Sequence, residues 1–177
     1  MKRILAIAVI MIFATGVLDV WGQEDYTGRI TNPHFTEKSG SGTNNVTANG
    51  WSFDGSVSNN FTNIGSHVAE QWNRNFNVYQ ELTNLPNGVY SVKVQGFYRA
   101  GGTGDNGPAT VVANKDQKNA IFYAGNVEKP LMGILEGATN SHNVGDYAEG
   151  YGNYPNSLEL AGAAFDYGSY NNEITNV

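Results

Sequence analysis

The chemically informative side chains of this chain are rings and amides rather than nucleophiles. Trp51, Trp72, Tyr79, Tyr98, Tyr147, Tyr151 and Tyr154 offer flat apolar faces, and Asn73, Gln80 and Arg99 offer forked polar groups. Binding a pyranose needs both, because its C–H faces stack on rings while its hydroxyls exchange hydrogen bonds with amides and guanidinium groups. Each ring also has a packing explanation. Trp51 and Trp72 are read as filling the core, as large rings usually do, and Tyr79 and Tyr98 lie in strand-like segments where packing or cross-strand pairing would occupy them. Tyr147, Tyr151 and Tyr154 lie in a loop-like stretch, where binding residues concentrate. The candidate ligand-binding set is therefore Tyr98, Arg99, Tyr147, Tyr151, Tyr154 and Asn73.

Catalytic patterns are missing. A glycosidase needs two carboxyl groups facing each other across a cleft. Glu70 and Glu81 are the acids nearest strand segments, and nothing in their spacing opposes them. The three histidines, His34, His67 and His142, are far apart and match no His-x-x-x-His or His-Glu-x-x-His ligand spacing. No Gly-x-Ser-x-Gly elbow occurs. Gly101-Gly102-Thr103-Gly104 lacks the Lys-Ser/Thr ending of a phosphate loop. With no cysteine there is no thiolate nucleophile, disulfide, zinc-thiolate site or iron–sulfur cluster. The sequence reads as a non-enzyme.

Composition narrows the class further. The chain has 177 residues, 40% of them hydrophobic, which suits one domain with its own core. Lys and Arg total 10 against 16 Asp and Glu, for a net charge of −6, so phosphate neutralisation cannot drive nucleic-acid binding. The 22 glycines, many asparagines and 10 tyrosines point to pleated strands joined by tight turns. At the N-terminus, basic Lys2 and Arg3 precede the unbroken apolar run Ile4 to Phe13, and a weaker stretch ends at Gly22. This reads as a secretory signal peptide over residues 1–22, cut near Gln23. Asp19 interrupts the run before the roughly 18 apolar residues that a membrane anchor needs. The absence of cysteine excludes a lipoprotein. The expected location is secreted, periplasmic or cell-surface, with no membrane span after cleavage.

Residues 23–177 then read as follows. Arg29 to Phe35 forms a short strand, Gly50 to Phe53 a second, and Val68 to Trp72 a third. Phe76 to Leu82 and Val89 to Arg99 alternate and flank the turn Leu85-Pro86-Asn87-Gly88, which predicts an antiparallel hairpin. Trp51, Val78, Leu82, Val92 and Val94 are the predicted core. Ala109 to Ala113 and Ala120 to Tyr123 read as strands, Pro130 to Glu136 as strand or turn, and Gly137 to Tyr154 as loop. Asn156 with Glu159 resembles a capping box, followed by Leu158, Ala161 and Phe165 at helical spacing and Gly168 as a stop. Asn172 to Val177 begins a strand for which the sequence supplies no further partner, so the chain reads as lacking closing strands.

Taken in order, Asn32-Pro33-His34-Phe35, Gly50-Trp51, Ala69-Glu70-Gln71-Trp72-Asn73, Phe76 to Leu82 with Gln80, and Leu85-Pro86-Asn87-Gly88-Val89-Tyr90 form one series. Val92 to Arg99 and Tyr154-Pro155-Asn156-Ser157 extend it. The series resembles the galactose-binding-like β-sandwich modules of Bacteroidetes carbohydrate-active and surface proteins, over roughly residues 30–177. The resemblance implies an all-β, jelly-roll-like β-sandwich with one short helix near the C-terminus. It also implies a non-catalytic carbohydrate-binding module whose partner is a glycan. Because this sandwich hosts several roles, two alternatives stand beside it. One is a structural or adhesion module that contacts protein; the other is an accessory-domain remnant of a larger glycan-degrading enzyme. Such folds often carry a structural calcium on an acid near the Asn-Pro-x-Phe motif and another near the final strand. Here Thr36 follows Phe35, the acid is displaced to Glu37, and no Asp-Asn-Phe-like motif closes the sequence. These departures argue against calcium, and no cofactor is expected.

Overall fold

A computed structural model describes residues 3–15, 24–43, 45–54, 60–72, 75–100, 107–142 and 145–177. The chain is mostly β, with a short helix near the C-terminus. Strands β1 (Arg3–Thr15), β2 (Glu24–Asp25), β3 (Lys38–Ser39), β4 (Thr47–Ala48), β5 (Ser52–Asp54) and β6 (Asn63–Gly65) come first. They are followed by β7 (Val68–Trp72), β8 (Asn77–Tyr79) and the long β9 (Val89–Ala100). Helix α1 (Gly107–Ala113) leads to β10 (Ile121–Ala124), β11 (Val127–Pro130), β12 (Met132–Gly133), β13 (Asp146–Ala148) and β14 (Gly152–Tyr154). Helix α2 (Leu158–Asp166) and β15 (Asn171–Ile174) complete the order.

The main sheet runs β12-β9-β1-β7-β6, with β2 on β1 and β15 on β9. One edge of β9 carries β1 along its length; β15 and β12 share the other, β15 opposite Val92–Gln95 and β12 opposite Phe97 and Tyr98. Alternation along the strands sorts side chains onto two faces. Val68 and Phe97 face α2, where they pack with Ile134, Tyr154, Phe165 and Tyr170. Ala69 and Ile64 face a second layer of Phe35, Val46, Trp51 and Phe61, against which Val78, Leu82 and Val92 pack. Phe61 is the hub of that layer, with its ring 5.6 Å from Phe35, 5.1 Å from Phe53 and 6.1 Å from Phe76. Of the predicted core, Trp51 and Val94 are buried and Val78, Leu82 and Val92 half-buried.

Several expected elements take other forms. Arg29 to Phe35 is not a strand: a 3-10 turn at Thr27–Arg29 leads into a bend with positive φ at Asn32 and Phe35. The Asn32 side chain fixes that bend, donating to the carbonyls of Glu37 (2.7 Å) and Asn49 (3.1 Å) and accepting from the Glu37 amide (3.0 Å). Phe76 to Leu82 and Val89 to Arg99 do not pair. The first shortens to β8 and pairs β5, while both edges of β9 are taken by β1, β12 and β15.

Ala109 to Ala113 is helical rather than extended. Pro108 stands at the start of α1, where its fixed φ and missing N–H suit a helix, and Val111 is the buried residue. Gly137 to Tyr154 contains the hairpin β13–β14, turned at Gly150 with φ +81°. Helix α2 is capped by Ser157 rather than Asn156; the Ser157 hydroxyl accepts from the Leu160 amide at 3.2 Å. Asn172 to Val177 does find a partner: β15 pairs β9, and Tyr90 and Val177 exchange backbone bonds at 3.1 Å.

Candidate functional site

A cleft of about 950 Å³ opens between the main sheet and the second layer. Its floor is the inward set of β9, Tyr90, Val92 and Val94. Val78 and Leu82 form one wall and the β10–β11 hairpin the other. Such volume and lining fall within the range typical of small-molecule sites. At the rim stand two tyrosines, Tyr79 at 37% and Tyr123 at 40% exposure. The Tyr123 hydroxyl donates to Asn77 Oδ1 at 3.0 Å, which ties the hairpin to β8 across the opening. Deep in the lining lies the Gln71 amide, fully buried. Its Oε1 accepts from the Thr62 amide at 3.2 Å, while its Nε2 has no partner among the described residues. A buried N–H donor left unpaired costs about 1–3 kcal/mol, so this group is a ready recognition point for an acceptor.

A smaller recess of about 290 Å³ lies on the other side of Tyr98, between Asn114, Lys115, Asp116, Glu136 and Tyr151. The Tyr98 hydroxyl donates to the Lys115 carbonyl at 2.8 Å. Burial, then the nearby Glu136 and Asp116 carboxylates, pushes this phenol up to about 12. The recess mouth is charged: Lys118 Nζ lies 2.8 Å from Glu136 Oε1 and Lys115 Nζ 2.5 Å from Asp116 Oδ2.

The chain matches no family model, no curated protein and no solved structure.

The six nominated residues fall in different places. Tyr98 is buried and separates the two cavities. Arg99 and Tyr154 are buried together under α2, with the Arg99 guanidinium carbon 5.9 Å from the Tyr154 ring centroid. Arg99 is pushed down by burial, against the pull of Tyr154, Asp146 and Glu70. Its Nε and Nη2 have no hydrogen-bond partner among the described residues. Tyr147, at 56% exposure, and Tyr151, at 37%, stand on the β13–β14 hairpin, away from the large cleft. Asn73 lies outside the described residues. Trp51, weighed as a ring, is core, and its indole Nε1 donates to the Asn32 carbonyl at 3.1 Å. The Gln80 amide is occupied by the Thr31 backbone, donating to its carbonyl and accepting from its amide.

Sequence reasoning missed Tyr123 and Gln71. Tyr123 shares a face with Ile121 on a strand that reads as ordinary pleat, and Gln71 stands between Glu70 and Trp72 on a strand paired on both sides. An amide in that position is the available signal, because a buried Gln must find partners for both ends of its side chain. Among the described residues, no group of three or more His, Asp or Glu gathers to hold a metal ion, and no helix is long and apolar enough to cross a membrane.

Proposed function

We propose that this chain is a non-catalytic carbohydrate-binding module of an exported bacterial protein, of the galactose-binding-like, jelly-roll type, and that the large cleft is its glycan site. The observation carrying this reading is the pairing of two half-exposed tyrosine rings at the rim, Tyr79 and Tyr123, with the unpaired Gln71 amide below them. The rings give C–H faces somewhere to stack, and the amide donates to a hydroxyl oxygen. Export rests on Lys2, Arg3 and the apolar run that follows.

Affinity electrophoresis through soluble polysaccharides, followed by calorimetry on whichever retards the chain, tests the site. Tyr79→Ala and Tyr123→Ala each weaken binding about tenfold, the equivalent of 1.4 kcal/mol. Tyr147→Ala, remote from the cleft, leaves binding unchanged. Retardation that survives both rim substitutions and is lost in Tyr151→Ala moves the site to the smaller recess.

A second reading is protein contact. Ile121 and Val127 stand exposed on the β10–β11 hairpin beside Tyr123, an apolar edge of the kind that marks docking surfaces. Loss of binding to every polysaccharide, with retention on a protein ligand sensitive to Ile121→Ser, supports it.

A further inference from the structure

Strand β1 has an unusual position for a segment that reads as an export signal. It is not at an edge. Leu5, Ala6 and Ile7 pair on one side with Gln71, Glu70 and Ala69 of β7, and on the other with Tyr98, Phe97 and Gly96 of β9, antiparallel to both. The outer edges of the flanking strands are already covered: β6 lies on β7, and β15 and β12 lie on β9. Among the described residues, the gap that β1 fills is where an incoming strand would pair with β7 and β9 at once, whereas the open outer edges of β6, β12 and β15 offer pairing on one side. Both alternating sets of the run from Ile4 to Phe13 are apolar, as a strand covered on both faces requires, and α2 packs on one of those faces.

Resting on the export reading, we infer that cleavage near Gln23 vacates this gap. The exported protein then uses it as a strand-accepting site for an extended, proline-free apolar segment of a partner polypeptide, antiparallel to β7 and β9. Two facing ladders of N–H and C=O groups are costly to leave unpaired in a sheet interior. One inserted strand satisfies both at once, whereas ordinary strand addition at a sheet edge satisfies one.

The experiment compares the chain exported by a bacterial host with the uncleaved chain made in the cytoplasm. Mass spectrometry first reads the N-terminus of the exported form. A fluorescent peptide carrying residues 3–15, with lysines added at both ends for solubility, is then titrated into each form. The expected result is saturable binding to the cleaved chain, at least tenfold weaker binding to the uncleaved one, and loss of binding when the peptide carries Ile7→Pro. Proline at that position removes an N–H and is excluded from strands paired on both sides. A cleaved chain that ignores the peptide overturns the strand site and leaves the export reading standing. Equal binding to both forms, or indifference to the proline, overturns it as non-specific adhesion. A cleaved chain that is dimeric by light scattering and refuses the peptide assigns the gap to a second copy instead. Retention of Met1 in the exported form overturns the export reading, and the inference falls with it.

Discussion

The Arg99 guanidinium and the Tyr154 ring are buried against each other beneath α2, 5.9 Å from carbon to centroid, and Arg99 does not complete its hydrogen bonds among the described residues. Burial pushes Arg99 down, and Tyr154, Asp146 and then Glu70, a half-buried acid on β7, pull it back up. Glu70 itself is held above the usual carboxylate range by burial, with Arg99 pulling the other way.

Substituting Arg99 by Met removes that pull, so the Glu70 carboxyl moves further up. A carboxyl raised in the folded state stabilises fully below its unfolded value of 4.5 and loses that contribution as pH rises through the folded value. Arg99→Met therefore has a steeper fall in stability from pH 4 to pH 7 than the parent chain. Urea midpoints across that range, with the Glu70 carboxyl followed by NMR, check it. A parallel pH profile in the two chains counts against the coupling.

Tyr98 gives the opposite end of the pH scale. Its phenol is raised from 10.0 to about 12, with burial the largest cause. The folded state holds the proton longer than the unfolded one, so stability is intact below pH 10 and is lost as pH climbs towards 12. Tyr154 and Tyr170 are raised in the same direction by burial and add to the effect. Tyrosinate absorbance and circular dichroism should change together above pH 10, and Tyr98→Phe should retain more ellipticity there than the parent chain.

Part of the strand set is legible in the sequence, from alternation in the long strand and from a short apolar run in β7. Val68 to Trp72 and Val89 to Arg99 are found within a residue of their observed limits, and the helix from Leu158 follows from its spacing and its Gly168 stop. Pairing is less legible. Leu85-Pro86-Asn87-Gly88 signals a turn, yet whether the flanking strands meet depends on which other strands reach β9 first in the folded sheet. Short apolar segments are ambiguous for a different reason: Ala109 to Ala113 has no period long enough to separate strand from helix, and only Gly107-Pro108 hints at a helical start. For the candidate site, ring identity could be read but exposure could not. Tyr98 and Tyr154 are as aromatic as Tyr79 and Tyr123, and only the packing of α1, α2 and the hairpins decides which of them reach solvent.

Asn172 is the polar joint of the sheet. Its Nδ2 donates to the Gly96 carbonyl at 2.7 Å and the Tyr170 carbonyl at 3.0 Å, and its Oδ1 accepts from the Met132 amide at 2.8 Å. One buried side chain thus links β15, β9 and β12. Asn172→Leu keeps the branching but removes the acceptor for the Met132 amide and one donor to the Gly96 carbonyl, while the Tyr170 carbonyl keeps the Gly96 amide; the cost is about 1–3 kcal/mol from the buried group left unsatisfied. The urea midpoint should fall with little change in slope, because the surface exposed on unfolding is nearly the same. An unchanged midpoint would show that the three strands hold together without it.

The docking of α2 supplies a prediction in which two effects oppose each other. Gly162 is buried in the middle of the helix, where Ala is intrinsically better by about 1 kcal/mol. Propensity alone therefore predicts that Gly162→Ala stabilises. The packing says otherwise: a Cβ at this position would lie 2.6 Å from the Ser66 carbonyl oxygen. That oxygen belongs to the backbone of the β6–β7 turn, where Ser66 and His67 both hold positive φ, so it cannot swing aside as a side-chain end would. Either the helix lifts or the turn shifts, and overpacking of this kind costs about 1–3 kcal/mol, enough to outweigh the propensity gain. Gly162→Ala should thus lower the melting temperature. Ala163→Gly, one residue along and only half-buried, changes the same propensity in the other direction without the contact. It should cost about 0.5–1 kcal/mol. If both variants follow propensity, Gly162→Ala melting higher and Ala163→Gly lower, then α2 does not rest on the Ser66 turn as closely as described. If both melt lower, the close approach at Gly162 fixes how α2 seats on the β6–β7 turn, and with it the face that buries Phe97, Phe165 and Tyr170.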